Sequence, residues 1–400
     1  MTRVPTKLRR VQPQIGKAMR AATMAASPVT RGVSRLFRER ALPSSHYKST
    51  GSYLEDHPSS GVRVTRVKPQ IELSRKHPRG LPPDHRRFVN EDRWLVRPAT
   101  VTTIPRGRVV GDYGAIIAPE NAFLFDLSPY FAVRRPEGHP IFRRIRLPRL
   151  EIYDDMIAVL ACRGVDNYYH FLIDVLPRLA LIEQVIPLDE IDYFVVKADL
   201  PFQQQLLAHM GIAERVLDSR SSPHIQARQL IVPSLPAQYR QTPPWISQFL
   251  KERLMSDQRI ETRRRLYVSR GTAERTRRIV NEEEVVGMLA ALDVETMRPE
   301  KLGVKEQIRM FSEAELIISP HGAAMANLMF CEPGTTVIEM LAPNNVNPAT
   351  WKDCCQLNLE YFYLIGEGGT PRPEGDMDHV TADIKVDVNK LKTVLDMAGF

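Results

Sequence analysis

Two short stretches hold the residue types best suited to chemistry. In the first, Leu316-Ile317-Ile318-Ser319-Pro320-His321-Gly322-Ala323-Ala324, a β-branched apolar run enters a turn of small residues. Small side chains let backbone N–H groups approach an anion, and a short helix running through Asn327 adds its positive end. His321, at the carboxyl end of such a strand, can donate to a diphosphate or to charge developing on a leaving group. The alternative is a tight strand-to-helix turn with a structural histidine. The second stretch is Asn167-Tyr168-Tyr169-His170-Phe171-Leu172-Ile173-Asp174. His170 and Asp174 are four apart, hence on one helical face and one turn apart. A carboxylate so placed can orient an imidazole that takes a proton from a hydroxyl. The same spacing also makes an ordinary helix-face hydrogen bond.

Two further features join them. Thr335-Thr336-Val337-Ile338-Glu339 is an apolar strand ending in an acid, about one βαβ step past the glycine turn, where an acid can accept from ribose hydroxyls. Tyr267-Val268-Ser269-Arg270 ends another strand in an arginine, and Arg275, Arg277 and Arg278 follow before Asn281. Guanidinium forks suit diphosphate oxygens, although a solvated basic loop explains Arg275 and Arg277 equally well. Several chemistries lack their signature. There is no P-loop and no Gly-x-Gly-x-x-Gly after a strand, which argues against NTPase and dehydrogenase classes. A Gly-x-Ser-x-Gly elbow is missing too, and no Asp-x-Asp pair sits at a strand end.

The elements that must position these residues alternate regularly. Strands are expected at 156–162, 192–196 and 229–232, with helices at 168–185 and 201–210. Pro177 is expected to kink or close the helix at 168–185. Pro233, Pro236, Pro243 and Pro244 then punctuate a linker. A second series follows, with helices at 245–255, 282–292 (N-cap Asn281), 303–313 and 388–397. Its strands are expected at 265–268, 293–297, 316–319, 335–340 and 361–365. Shorter β-like runs lie at 109–110, 115–117 and 122–125. Strand and helix alternating twice predicts an α/β protein of two domains with parallel sheets, 61–235 and 236–400.

The chain's charge lies at one end. Residues 1–40 hold ten Lys/Arg against one acid, a net +9, so the other 360 residues carry a net −1. The high pI belongs to a tail, which removes most of the case for a nucleic-acid-binding domain. Residues 1–60 read as a disordered basic tail, in which 33–42 suits a short amphipathic helix at an anionic membrane surface. A solvated tail without a partner is one alternative, and an organellar transit peptide, Arg-rich and acid-poor, is another. No apolar stretch is long enough to span a bilayer and no secretory h-region is visible, so a cytoplasmic protein is expected, peripheral to a membrane at most. Cys162, Cys331, Cys354 and Cys355 form no Cys-x-x-Cys pair and read as reduced thiols.

Taken in order, these segments resemble family 61 glycosyltransferases, which include bacterial enzymes of capsular polysaccharide biosynthesis. The resemblance rests on Asn167 through His170, Asp174, Pro177-Arg178-Leu179, then Tyr267-Val268-Ser269-Arg270, Arg278 to Glu282, Ser319 through Asn327, Pro333-Gly334 and Glu339. Ala324 and Ala326 stand where the family has Gly and Thr, and Phe171 where it has Trp. The resemblance implies a GT-B-like fold, two Rossmann-type domains facing across a cleft. It implies an inverting transferase with a nucleotide-sugar donor, a glycan acceptor, no required metal and no cofactor. His170 or Asp174 would be the catalytic base. Ser269, Arg270, Arg278, His321, Gly322, Ala323, Asn327 and Glu339 would bind the donor. A protein of the same fold that binds nucleotide or glycan without turnover is the alternative, and a membrane-surface scaffold that works through its tail is a second.

Overall fold

The computed structural model describes residues 40–88, 93–237, 242–255, 263–271, 277–367 and 383–400. The basic stretch 1–39, most of the candidate amphipathic segment at 33–42, and Arg275 lie outside these. Contacts divide the described chain into two units, 40–69 with 98–235, and 70–97 with 236–400. Both are mixed α/β, and the segment 70–97 goes with the C-terminal half.

The first unit carries β1 (Ser45–Tyr47), helix α1 (Thr50–Asp56) and β2 (Arg63–Lys68). The strands β3 (Ile71–Ser74), β4 (Arg79–Leu81) and β5 (Arg93–Val96) belong to the second unit. The first unit resumes with β6 (Ala99–Pro105), β7 (Arg108–Val110), β8 (Ala115–Ala118) and β9 (Ala122–Leu124). It ends with β10 (Glu151–Val159), β11 (Tyr193–Val196), β12 (Val216–Asp218) and β13 (His224–Pro233). Its sheet runs β1-β9-β8-β7-β13-β10-β11-β12, with β6 on β13 and β2 on β6. The expectation of a parallel sheet holds for β13-β10-β11-β12 and for the β1–β9 pair. Connections of three or four residues join β7, β8 and β9, too short for a crossover, so those strands pair antiparallel. The expected disorder also does not extend through 40–60. Residues 45–47 pair with β9, and α1, capped by Ser49, buries Tyr53 completely.

Between β10 and β11 runs the helical stretch α2, residues 168–182. Asn167 Oδ1 accepts from Tyr169 N and caps it. Pro177 does not end it. A wide π turn over Phe171–Val175 precedes the proline, with Leu176 N bonding Phe171 O, and α-helix continues over Pro177–Ile182. Widening by one residue absorbs the missing N–H, and such turns gather at functional sites. The helix α3 (Pro201–His209) follows β11.

The second unit has the all-parallel sheet β15-β14-β16-β17-β18-β4, built from β14 (Arg264–Val268), β15 (Glu295–Met297), β16 (Ala314–Pro320), β17 (Thr336–Leu341) and β18 (Glu360–Ile365). Its helices are α4 (Pro244–Leu254), α5 (Glu282–Ala290), α6 (Val304–Ser312), α7 (Ala349–Gln356) and α8 (Val388–Ala398). Two apolar layers sandwich the sheet. One contains Val337, Tyr361, Phe311 and Trp351, and the other Ile338, Phe362, Leu289 and Leu395. Asn281 sits at the N-cap position of α5 but does not cap it. Its amide instead clamps the backbone N–H and C=O of Val386.

Strand order reverses once in each parallel set. The chain goes from β14 outward to β15 and returns past β14 to β16. Likewise it goes from β10 to β11 and β12 and returns past β10 to β13. In open parallel sheets ligands bind beyond the carboxyl ends of the strands at such reversals.

Candidate functional site

In the second unit the reversal lies between the carboxyl ends of β14 and β16. Arg270 leaves the first and His321 the second, and Arg270 Nη1 donates to His321 O at 3.0 Å. The approach depends on Gly322, where a Cβ would lie 2.3 Å from Arg270 Nη1. Burial pushes the Arg270 pKa down to about 10, the Arg277 charge adding to the effect and Asp383 opposing it. The guanidinium thus stays a cation near neutrality, with desolvation that an anionic ligand would offset.

His321 itself is held from both sides. Nδ1 lies 2.6 Å from Glu339 Oε1, and Asn347 Nδ2 lies 3.1 Å from Nε2. The Asn347 carbonyl accepts from Ala349 N, which turns the NH₂ toward the ring. With the amide so turned, Nε2 accepts from Asn347 and Nδ1–H donates to Glu339. Glu339 is completely buried and also accepts from Thr350 Oγ1 at 2.6 Å and Tyr361 OH at 2.7 Å. Burial, with the Glu339 charge second, raises the Tyr361 pKa well above its usual value, so its hydroxyl stays a donor. Strand β17 continues two residues past Glu339, and Val337, Leu341, Tyr361 and Tyr363 share its layer. The carboxylate is an inward group in an apolar layer, satisfied by three donors.

In the first unit the reversal lies beside β10. Beyond its end, Leu160 N and Ala161 N both donate to Val195 O, and buried Arg178 Nη1 takes the carbonyls of Val159 and Ala161 at 3.2 and 3.1 Å. The chain turns at Gly164, whose φ of 78° only glycine adopts readily, and whose missing Cβ makes room for His170. His170 Nδ1 lies 2.8 Å from Asp174 Oδ2, and Arg163 Nη1 lies 3.5 Å from the same oxygen. The Asp174 side chain is 4% exposed and that of His170 is 27% exposed. Phe131, itself exposed, packs against the His170 ring at a tilt of 57° and lies under the Arg163 guanidinium.

The expected site residues therefore separate into groups. Arg270, His321, Gly322 and, through the imidazole, Glu339 come together at one reversal. His170 and Asp174 meet at the other. Ala323 opens a 3-10 helix, Ala323–Phe330, in place of an α-helical turn. Ser269 is buried, and its hydroxyl donates to Glu282 while accepting from Gly271 N, so it shapes the loop. Arg278 is exposed and reaches Asp383 at 3.6 Å, while Asp383 also takes the N–H groups of Arg277 and Arg278. Asn327 is completely buried and donates to Gln307 Oε1. Asn327 and Glu339 thus face the protein interior, and direct ligand contact from them has no support in this geometry. Sequence reasoning did not single out Arg163, Phe131, Asn347, Thr350 or Tyr361. A polar residue spaced between apolar ones in a strand buried on both faces, as in Val337-Ile338-Glu339-Met340-Leu341, is the signal that pointed inward for Glu339.

Among the described residues no helix is long and apolar enough to cross a membrane. The four cysteines are free thiols, three of them buried. The family model described as Glycosyltransferase 61 matches residues 168–338, a little under half of the chain. The match begins at the helix that carries His170 and Asp174 and stops one residue before Glu339. It supports a glycosyltransferase of that family, and with it a nucleotide-sugar donor and a glycan acceptor. No curated protein matches the chain.

Proposed function

We propose that this chain is an inverting, metal-independent glycosyltransferase of GT-B type that moves a sugar from a nucleotide donor to a glycan hydroxyl. The observation that carries this reading is the bridge between Arg270 and the His321 carbonyl, placed where the strand order of a parallel sheet reverses. A diphosphate there meets one desolvated guanidinium and one imidazole, with Gly322 and Ala323 leaving the backbone uncovered. A phosphate oxygen at His321 Nε2 takes the place of the Asn347 amide and favours a protonated ring. Glu339, already bonded to Nδ1, then neutralises the imidazolium.

His170 is the group assigned to take the acceptor proton. Asp174 is nearly buried and engaged by both Arg163 and His170, which suits an orienting carboxylate better than a base. In the reaction the acceptor oxygen bonds to the anomeric carbon as its proton passes to His170 Nε2. The sugar–phosphate bond breaks, and its electrons go to the diphosphate, where Arg270 and His321 offset the charge. Ser269, Arg278 and Asn327 act through the loop and the core. A capsular or extracellular polysaccharide as acceptor, and a cytoplasmic placement with residues 1–40 against an anionic membrane, complete the proposal.

The test is incubation of purified protein with a panel of nucleotide sugars, following release of nucleoside diphosphate and the configuration of the product. Release with one donor and inversion at the anomeric carbon is expected. A folded protein that binds nucleotide but releases none from any donor would establish the non-catalytic alternative.

A further inference from the structure

A cavity of about 550 Å³ opens in the second unit at the carboxyl end of β15, within the usual range for small-molecule sites. The strand is a three-residue edge, and beyond its end the helices of the two apolar layers part, α5 on one face and α6 on the other. Met297, Leu302 and Met310 form apolar wall, Glu282 and Glu283 come from the first turn of α5, and Arg298 contributes a cation.

Glu282 ties this cavity to the reversal site. Its Oε1 accepts from Tyr267 OH and Ser269 Oγ, each at 2.8 Å, and Ser269 is the residue before Arg270. Ser269 N also donates to Met297 O at 2.9 Å. Oε2 of Glu282 has no hydrogen-bond partner among the described residues. The lining thus offers thioether and aliphatic surface to a flat ring, and carboxylate oxygens to vicinal hydroxyls.

We propose that the cavity receives the nucleoside of the donor, the base against Met297 and Met310 and the ribose hydroxyls at Glu282 and Glu283. This rests on the reading of Arg270 and His321 as the diphosphate site, and the experiment separates the two. Affinities for uridine, guanosine, adenosine and cytidine diphosphates and for inorganic pyrophosphate are measured by calorimetry in the wild type, Val286→Trp and Thr296→Trp. Val286 and Thr296 line the cavity, and Thr296 is exposed on an edge strand, so at least its variant should fold. The preferred nucleoside diphosphate should bind at least tenfold more weakly to each folded variant, and pyrophosphate equally well. Hydrogen exchange on the wild type should show ligand protection over residues 282–286 and 296–302. Unchanged nucleotide affinity in a folded variant, or no protection there, overturns the cavity assignment and leaves the diphosphate site standing. If no nucleoside diphosphate binds the wild type, both fall together.

Discussion

Each unit builds a histidine–carboxylate pair beside a strand reversal, and the two pairs are made differently. His170 and Asp174 are neighbours on one helix, and their carboxylate also faces the Arg163 cation at 3.5 Å. His321 follows the end of β16 and Glu339 lies within the neighbouring β17, and their carboxylate meets two hydroxyls and, among the described residues, no cation. The third partner of the ring differs as well: Asn347 occupies His321 Nε2, whereas His170 packs at a tilt against Phe131 and its Nε2 has no partner among the described residues. The first arrangement holds an imidazole ready to accept a proton, its carboxylate charge partly offset by the guanidinium. The second sets a buried carboxylate against Nδ1 of the ring, so an anion placed at Nε2 would meet an imidazole whose far side already faces a carboxylate. Under the proposed function the same two side chain types are assigned as a base in one setting and an anion receptor in the other, according to what else touches the carboxylate.

Neutralising each carboxylate in turn gives the sharpest test and the largest effect. Asp174→Asn leaves the shape of the pair but removes the charge that orients the imidazole. We expect kcat to fall by about 10³, with donor KM within a few-fold of wild type. Glu339→Gln should instead raise donor KM about tenfold and lower kcat less, because the His321 cation loses its counter-charge. Steady-state kinetics with varied donor decides it, and the same split between kcat and KM in both variants would erase the distinction.

How much of this was legible in the sequence follows from the same contrast. His170 and Asp174 lie within one helical turn, so periodicity alone placed them on one face. His321 was legible as a strand-end residue, while Glu339 was read as one although β17 runs on to Leu341; they were not legible as partners, since their contact depends on the register that sets Ser319 beside Glu339. Thr350 and Tyr361 were further out of reach. They depend on α7, which gave no periodic signal, and on pairing of β18 with β17. Hardest of all is β4, which pairs with β18 across some 280 residues of chain, with only three residues to announce it. The alternation at 156–365 was readable because buried parallel strands are apolar runs. The β1 and β2 strands are short or largely exposed, and offer no such pattern.

Gly322→Ala probes the second pair from its other side. The added methyl would lie 2.3 Å from Arg270 Nη1, the mobile end of a long side chain, so the arginine shifts while the backbone stays. The His321 carbonyl then loses its donor and the cation leaves the reversal. Donor affinity should weaken about tenfold with less than about 1 kcal/mol lost in stability, since one hydrogen bond is exchanged for solvent. Titration of the donor against wild type and variant reads this directly. Unchanged affinity would separate Arg270 from the donor site and leave the first unit's pair untouched by the result.

The last contrast is one of stability and concerns histidines outside either site. Burial lowers His139 to about 3, with Arg143 contributing, and His224 to about 4, with Arg108 and Arg40 contributing against the Pro148 carbonyl. Both belong to the first unit. Above pH 6.5 folded and unfolded chains hold these rings neutral alike. Below it the unfolded chain binds protons that the folded unit refuses, so stability is lost as pH falls toward 4 and 3. Each ring should remove about 1 kcal/mol between pH 7.5 and 5.5. Native-state hydrogen exchange can localise the loss, because core amides such as Ile157 and Ile231 report the first unit and Ile317 and Ile338 the second. Protection should fall first at Ile157 and Ile231, and His139→Gln or His224→Gln should flatten that pH dependence. Parallel loss at all four amides would mean that the two units share one acid transition, with these two histidines contributing nothing that distinguishes them.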